Sequence, residues 1–167
     1  GQNTSSPPDR DILLNMDDDA LLRQCRVDTF RGTGRGGQKR NRTDSAVRLT
    51  LQGEALAVNC DKTRSQIHNR EEALRLLRHA IALHLRRAPI PGFSPDHRPN
   101  PGKPAYALWM AQTLDHLEAV GYRMADAAQA MGVSTNRLSK TLARDSQLWQ
   151  HVNQQRAAHG LTSLRAP

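Results

Sequence analysis

Only two cysteines, Cys25 and Cys60, occur in the 167 residues of this chain. Both lie in apolar, strand-like surroundings. They could pair only if their strands were neighbours, and two buried free thiols in a reducing cytosol are the preferred expectation. No Cys/His spacing suits zinc and the seven histidines are scattered, so neither a metal site nor a cofactor is expected. No apolar run approaches the ~18 residues that a membrane span requires. A charged–apolar–small secretory pattern is also missing, which leads to a cytoplasmic expectation. Gly1 stands where Met would be expected, and the polar start favours treating residues 1–16 as a flexible leader.

Acidic residues are in deficit. Lys and Arg number 24 against 16 Asp and Glu, a net charge of +8. Such an excess favours polyanionic partners and concerns association more than fold. Nucleic acid is the leading partner and an anionic membrane surface the weaker one. With no coiled-coil seam or long apolar edge, a monomer is expected.

What is present divides into two patterns. Asp17-Asp18-Asp19 before Ala20-Leu21-Leu22 reads as an acid-rich cap on a short helix. Cys25 to Phe30 is strand-like. Residues 44–52 alternate apolar and polar side chains, Gly53-Glu54 suits a tight turn, and Ala55 to Cys60 reads as the returning strand. From Gln66 to Arg87 the period becomes 3.6, with Ala73, Leu74, Leu77, Ile81 and Leu85 on one stripe and Arg70, Arg75, Arg78 and Arg86 largely off it. A small mixed or antiparallel sheet packed on a long helix gives an α+β domain over 17–88. Six of the nine prolines fall in residues 88–104, so 89–104 reads as a semi-extended linker. Residues 105–167 form a small all-α module, with helices expected at 105–120, 123–131, 134–143 and 146–158.

Between the first two strands lies Gly34-Arg35-Gly36-Gly37-Gln38-Lys39-Arg40-Asn41. Its glycines open φ > 0 conformations and keep side chains out of the way, so backbone N–H groups can approach an anion or a reacting carbonyl. Gly-Gly-Gln alone is weak evidence, equally suited to a surface turn. The whole stretch Arg31 to Leu49, followed by Asp61-Lys62-Thr63-Arg64-Ser65-Gln66-Ile67-His68-Asn69-Arg70, closely resembles the catalytic domain of class I peptide chain release factors. The resemblance covers roughly residues 17–87 and rests on two separated motifs in the right order. Arg35, where a small residue or proline is commoner, and the basic pair Lys39-Arg40 depart from the family pattern.

The resemblance implies a peptidyl-tRNA hydrolase that cleaves the ester between nascent peptide and tRNA in the peptidyl-transferase centre of the ribosome. Gly36, Gly37 and Gln38 would then be the catalytic residues. A side-chain amide is no base at neutral pH, so the use of Gln38 lies in its backbone N–H and in ordering a water. A preorganised N–H facing the developing oxyanion is worth ~3–4 kcal/mol. Any general base then comes from RNA. Arg31, Arg35, Lys39, Arg40, Arg42 and Arg48, with Arg64 in the second motif, are candidate rRNA phosphate contacts. A solvated basic face is the plain alternative. Asp44 and Ser45 are candidates for satisfying backbone groups at the base of the loop, and Arg64, Gln66 and Asn69, at the helix start, are candidates equally for the same support and for RNA contact. The matching glutamine in release factors is methylated, which adds a glutamine methyltransferase to the implied partners.

Too few residues precede the loop here for a codon-reading domain, so codon-independent release on stalled ribosomes is expected, as in the short ribosome-rescue relatives. Those relatives typically end in a basic tail; this chain instead has Ala127 to Leu142. Gly132 suits a helix C′ position, Ser134 a following N-cap, and Leu138 and Leu142 a buried face, a pattern that resembles a helix-turn-helix. Asn136, Arg137, Lys140 and Arg144 would be exposed on its second helix, with Arg137 and Lys140 the foremost RNA-binding candidates. Trp109, Leu148, Trp149 and Val152 read as core. Residues 101–167 carry a net charge of only +3, mild for a DNA binder. The competing readings are a release factor-like protein acting on damaged ribosomes with an RNA-repair partner, and a non-catalytic helix-turn-helix or ribosome-binding factor.

Overall fold

The computed structural model describes residues 9–31 and 44–167. The chain divides into two compact units, Gly1–Ile81 and Ala82–Pro167.

In the first unit, helix α1 (Arg10–Asn15) and helix α2 (Asp18–Arg23) precede strand β1 (Cys25–Phe30). Strands β2 (Ala46–Leu51) and β3 (Ala57–Cys60) then lead into helix α3 (Gln66–His84), whose last turn belongs to the second unit. The sheet is antiparallel in the order β1-β2-β3, with Cys25 opposite Leu51, Phe30 opposite Ala46, and Val47 opposite Cys60. Alternation on β2 sends Val47, Leu49 and Leu51 into the core and leaves Arg48 exposed. These side chains are buried together with Leu21 and the α3 stripe Ala73, Leu74, Leu77 and Ile81, as the 3.6 period requires. Gly53, at φ 81°, takes the left-handed turn position between β2 and β3. Asp17 caps α2 by accepting from Ala20 N at 2.8 Å, and Asp18 and Asp19 complement the positive end of the helix. Cys25 and Cys60 are free and buried, on the two outer strands.

Two expectations for this unit change. Residues 9–16, grouped with the flexible leader, include α1, capped by Asp9 and burying Leu13 and Leu14. A six-residue helix is too short for its periodicity to stand out in the sequence. Arg78, assigned to the exposed side of α3, is 5% exposed. Its guanidinium donates to the carbonyls of Leu14 at 3.5 Å and Met16 at 2.9 Å and pairs with Asp18 at 2.9 Å. It satisfies the carbonyl end of α1 and binds the start of α2 to α3, a use of arginine that periodicity does not distinguish from a surface charge.

The second unit is all-helical: α4 (Ala105–Ala119), α5 (Met124–Ala130), α6 (Thr135–Ala143) and α7 (Ser146–Ala158) follow the last turn of α3. The four expected helices hold to within two residues at each end. The Pro-rich stretch, expected to be a linker, is instead an arm packed along α4. Trp109 Nε1 donates to the Pro95 carbonyl at 3.1 Å, His116 Nε2 lies 3.0 Å from the Ile90 carbonyl, and Phe93 stacks on His116. Arg98 lies over the Tyr106 and Trp109 rings at 5.1 and 5.8 Å. Proline stiffens the arm and lowers the entropy lost when it docks, so composition that breaks a helix is also compatible with ordered packing.

Buried Asp115 pairs with Arg86 at 3.3 Å and accepts from Arg87 N at 3.0 Å, holding the chain after α3 to α4. Leu138, Leu142, Leu148 and Val152 are fully buried; Trp109 is buried and Trp149 half-buried.

His151 is buried and meets His84 edge-on, with ring centroids 5.8 Å apart. Burial first, then the charges of His84 and Arg86, push its pKa from 6.5 down to about 4, against a smaller opposing pull from Glu118. The neutral ring is therefore favoured by folding. Stability from this group is complete above pH 6.5 and declines as pH falls toward 4. The loss should reach about 3 kcal/mol and should flatten in His151→Gln. Both tryptophans, Trp109 and Trp149, lie in this unit, so fluorescence-detected urea unfolding across that pH range measures it. In the first unit, Arg78→Ala should cost about 3 kcal/mol by orphaning buried carbonyls. Hydrogen exchange should then accelerate at the amides of α1.

Candidate functional site

Residues 31–45 connect β1 to β2 by the route of an antiparallel hairpin. Its two ends are adjacent, because Phe30 and Ala46 are register partners. Gly36-Gly37-Gln38 lies midway along the chain between them. The assignments on Arg35, Gly36, Gly37, Gln38, Lys39, Arg40 and Arg42 fall outside the described residues.

The foot of the loop is built in detail. Asn69, on the first turn of α3, is fully buried. Its Nδ2 donates to Ser45 O at 2.7 Å and Thr63 O at 2.9 Å. Its Oδ1 accepts from Thr63 N at 3.0 Å and Thr63 Oγ1 at 3.1 Å, with Cys60 Sγ at 3.6 Å. One carboxamide thus uses both its donors and its acceptor to hold the end of the loop, the end of β3 and the turn before α3. Beside it Gln66 Nε2 donates to Asp44 O at 2.9 Å. Thr63 Oγ1 accepts from Ser65 N at 3.1 Å, and Ser65 Oγ accepts from His68 N at 3.2 Å, so the Thr-Arg-Ser segment satisfies its own backbone. Gln66 and Asn69 are therefore structural supports. Polar residue types at a helix start could not decide between that role and RNA contact without the distances.

Arg31 stands at the other end of the loop and pairs with Asp44 at 3.6 Å. Both partners are largely exposed, so the pair contributes little to stability and leaves the guanidinium open to an anion. Arg48 is exposed on β2, its Cα in register with Asp28 on one side and Asn59 on the other. Arg64 is exposed in the turn before α3 and makes no ion pair among the described residues. Close by, Glu72 binds Arg75 at 2.6 Å and Lys62 at 3.5 Å, and these bonds, Arg75 foremost, hold its carboxyl below the usual range.

Burial pushes the Cys25 thiol up to about 11, and its Sγ donates to Leu21 O. Among the described residues no group of three or more His, Cys, Asp and Glu is placed to hold a metal ion. The arrangement is a rigid pedestal with cations around it.

In the second unit, the α5–α6 junction has the geometry expected of a helix-turn-helix turn. Gly132 adopts φ 71°, Val133 N donates to Ala128 O at 3.0 Å, and Ser134 Oγ accepts from Arg137 N at 3.1 Å. Val133 is half-buried. Asn136, Arg137, Lys140 and Arg144 are exposed, as the periodicity requires. Arg137 Nε pairs with Asp96 of the arm at 2.6 Å, a partner that the sequence did not suggest.

Residues 17–89 match the family model of the RF-1 domain. Over 68 residues the chain is 47% identical to peptide chain release factor 2 of Thermomicrobium roseum, covering 40% of this chain and 18% of that protein. It is likewise 47% identical over 68 residues to peptide chain release factor 1 of Lachnoclostridium phytofermentans, covering 41% and 17%. Against peptide chain release factor 2 of Listeria monocytogenes the identity is 42% over 72 residues, covering 41% and 20%. The chain spans about a fifth of the length of these curated relatives, and the family-model match leaves most of its second unit outside. The matched span contains strands β1 to β3, the Asn69 pedestal and all of α3. Residues 17–89 therefore carry an RF-1 domain, shared with peptide chain release factors 1 and 2.

Proposed function

We propose that this protein hydrolyses the ester of peptidyl-tRNA on the ribosome, in response to a stalled ribosome and without reading a stop codon. The observation that carries the reading is a release factor domain in which buried Asn69 holds Ser45, where the segment containing Gly36-Gly37-Gln38 returns to the sheet. A fixed foot reduces the entropy lost when the loop docks, and positioning is the larger part of what such a site can offer.

In this mechanism Gly36 and Gly37 bring the chain close to the tRNA terminus. The backbone N–H of Gln38 donates to the oxygen that becomes negative as water adds to the ester carbon. Its side-chain amide orients that water, and rRNA supplies any proton transfer. Arg31, Arg35, Lys39, Arg40, Arg42, Arg48 and Arg64 meet rRNA phosphates around the entry. The second unit adds Arg137 and Lys140. An all-helical unit that follows the release factor domain in the sequence offers a ribosome contact that involves no codon, which favours rescue over ordinary termination. The cytoplasm is the setting, and methylation of Gln38 by a glutamine methyltransferase would add packing around the amide.

Peptide release from ribosomes stalled on truncated mRNA tests the proposal. Wild type should release, and Gly37→Ala should lower the rate by about 10²–10³-fold, the effect of misplacing one oxyanion donor. Gln38→Ala keeps its backbone N–H and should lose less. No release by wild type would end the hydrolase reading, and equal rates in the variants would remove the loop from the mechanism. Asn69→Ala should destabilise the first unit by roughly 3 kcal/mol, as buried Ser45 and Thr63 backbone groups lose their partners. Circular dichroism during urea unfolding reads that loss; an unchanged midpoint would contradict the pedestal.

A further inference from the structure

On the reading of the first unit as ribosome-directed, we infer that the second unit carries a separate phosphate-binding cleft, which grips the RNA backbone and does not read bases. The cleft, about 300 Å³ in volume, lies between the Pro-rich arm and α6. Pro95, Asp96 and Arg98 form one wall; Arg137, Lys140, Thr141 and Arg144 form the other.

Three residues of α6 and its C-cap Arg144 recur at i, i+3, i+4 and i+7, so one helical stripe supplies three cations and a hydroxyl. From Arg137 to Arg144 the stripe runs about 10 Å, enough to meet more than one phosphate along a strand. Four cations face a single carboxylate, Asp96, which pairs with Arg137 at 2.6 Å. Lys140, Arg144 and Arg98 make no ion pair among the described residues. The neighbouring carboxylate, Asp145, is already occupied: it accepts from Tyr106 Oη at 2.5 Å and from Leu148 N at 3.0 Å.

Arg98 is held by stacking on Tyr106 and Trp109, with Nη2 3.5 Å from Tyr106 Oη. Its Nε is buried with no hydrogen-bond partner among the described residues. The guanidinium is thus positioned before any ligand arrives and has no carboxylate to neutralise it. That is a favourable state for binding phosphate.

A helix-turn-helix ordinarily inserts its second helix into a major groove about 12 Å wide, which a helix with its side chains, about 10–12 Å across, fills alone. Here the arm flanks the cationic stripe and is bonded to Arg137 near the N-terminus of α6, where base-reading residues normally stand. Helix and arm together are too broad for that groove. A backbone ridge entering the cleft is compatible with both, and phosphate contacts carry no sequence information of their own.

Fluorescence anisotropy of the full chain with a labelled RNA hairpin, titrated across salt concentrations, tests the inference. The double variant Lys140→Glu/Arg144→Glu should bind at least about tenfold more weakly, with the salt slope reduced by about two phosphate contacts. Asp96→Asn releases Arg137 and raises the charge of the cleft, so it should bind several-fold more tightly, an effect no loss of structure would produce. Unaltered affinity in both variants would overturn the cleft. More than about tenfold discrimination among unrelated RNA sequences, or tighter binding to a particular DNA duplex, would overturn backbone recognition. In peptide release, the double variant should need more protein but reach the wild-type rate at saturation. Absence of release by wild type would remove the hydrolase reading alone, since the anisotropy decides the cleft independently.

Discussion

The carboxamide of Asn69 is the interaction on which the first unit's architecture turns. The segment that joins β1 to β2 leaves the sheet at Phe30 and rejoins it at Ala46. The sheet register brings the two strands together, but it does not satisfy the backbone where the loop leaves them. Asn69 does so from a third element, α3, with Ser45 O and the Thr63 backbone as partners. Buried amides with full hydrogen-bond complements are costly to disrupt and geometrically exacting. Rigidity of α3 and of the sheet is thereby passed to the foot of the loop. Arg78 has the same logic farther along the helix, where one guanidinium satisfies the end of α1 and holds Asp18 of α2.

The second unit relies on aromatic and aliphatic packing around α4, with polar groups used as fasteners. Trp109 holds the Pro95 carbonyl, Tyr106 holds Asp145, and Asp115 holds the chain that leaves α3. Burial pushes the Tyr106 hydroxyl up to about 12, with the Asp145 bond adding to the effect, so it remains a donor over the whole working pH range. Asp145 meanwhile caps α7, so a single carboxylate links the start of that helix to α4. The arm and α6 thus become two walls of one structure.

Hydrophobic period and cap chemistry made most elements legible in the sequence. The alternation of residues 44–52, the stripe from Ala73 to Ile81, and the Gly132–Ser134 turn each have one dominant physical solution, and the chain adopts it. The loop motif was legible as a motif because its residue order carries the family pattern. Roles that depend on a partner distant in sequence were not legible. Nothing near Arg78 announces Leu14, and nothing near Arg137 announces Asp96. Asn69 could be placed at the loop foot, but whether it faced backbone or RNA required geometry. The Pro-rich segment was misread for a different reason. Proline excludes helix, yet its stiffness is equally suited to a spacer and to a packed arm, and only Trp109, Tyr106 and His116 on α4 decide between them.

The strand order also has a consequence for oxidation. Cys25 and Cys60 lie on opposite edges of the sheet, opposite Leu51 and Val47 of the central strand. Two strand spacings separate them by roughly 10 Å across the sheet and four residues by about 13 Å along it. A disulfide bridges α-carbons no more than about 7 Å apart. Peroxide or a shift in glutathione balance therefore cannot join these two thiols within one folded molecule, and no oxidative staple ties the outer strands to one another.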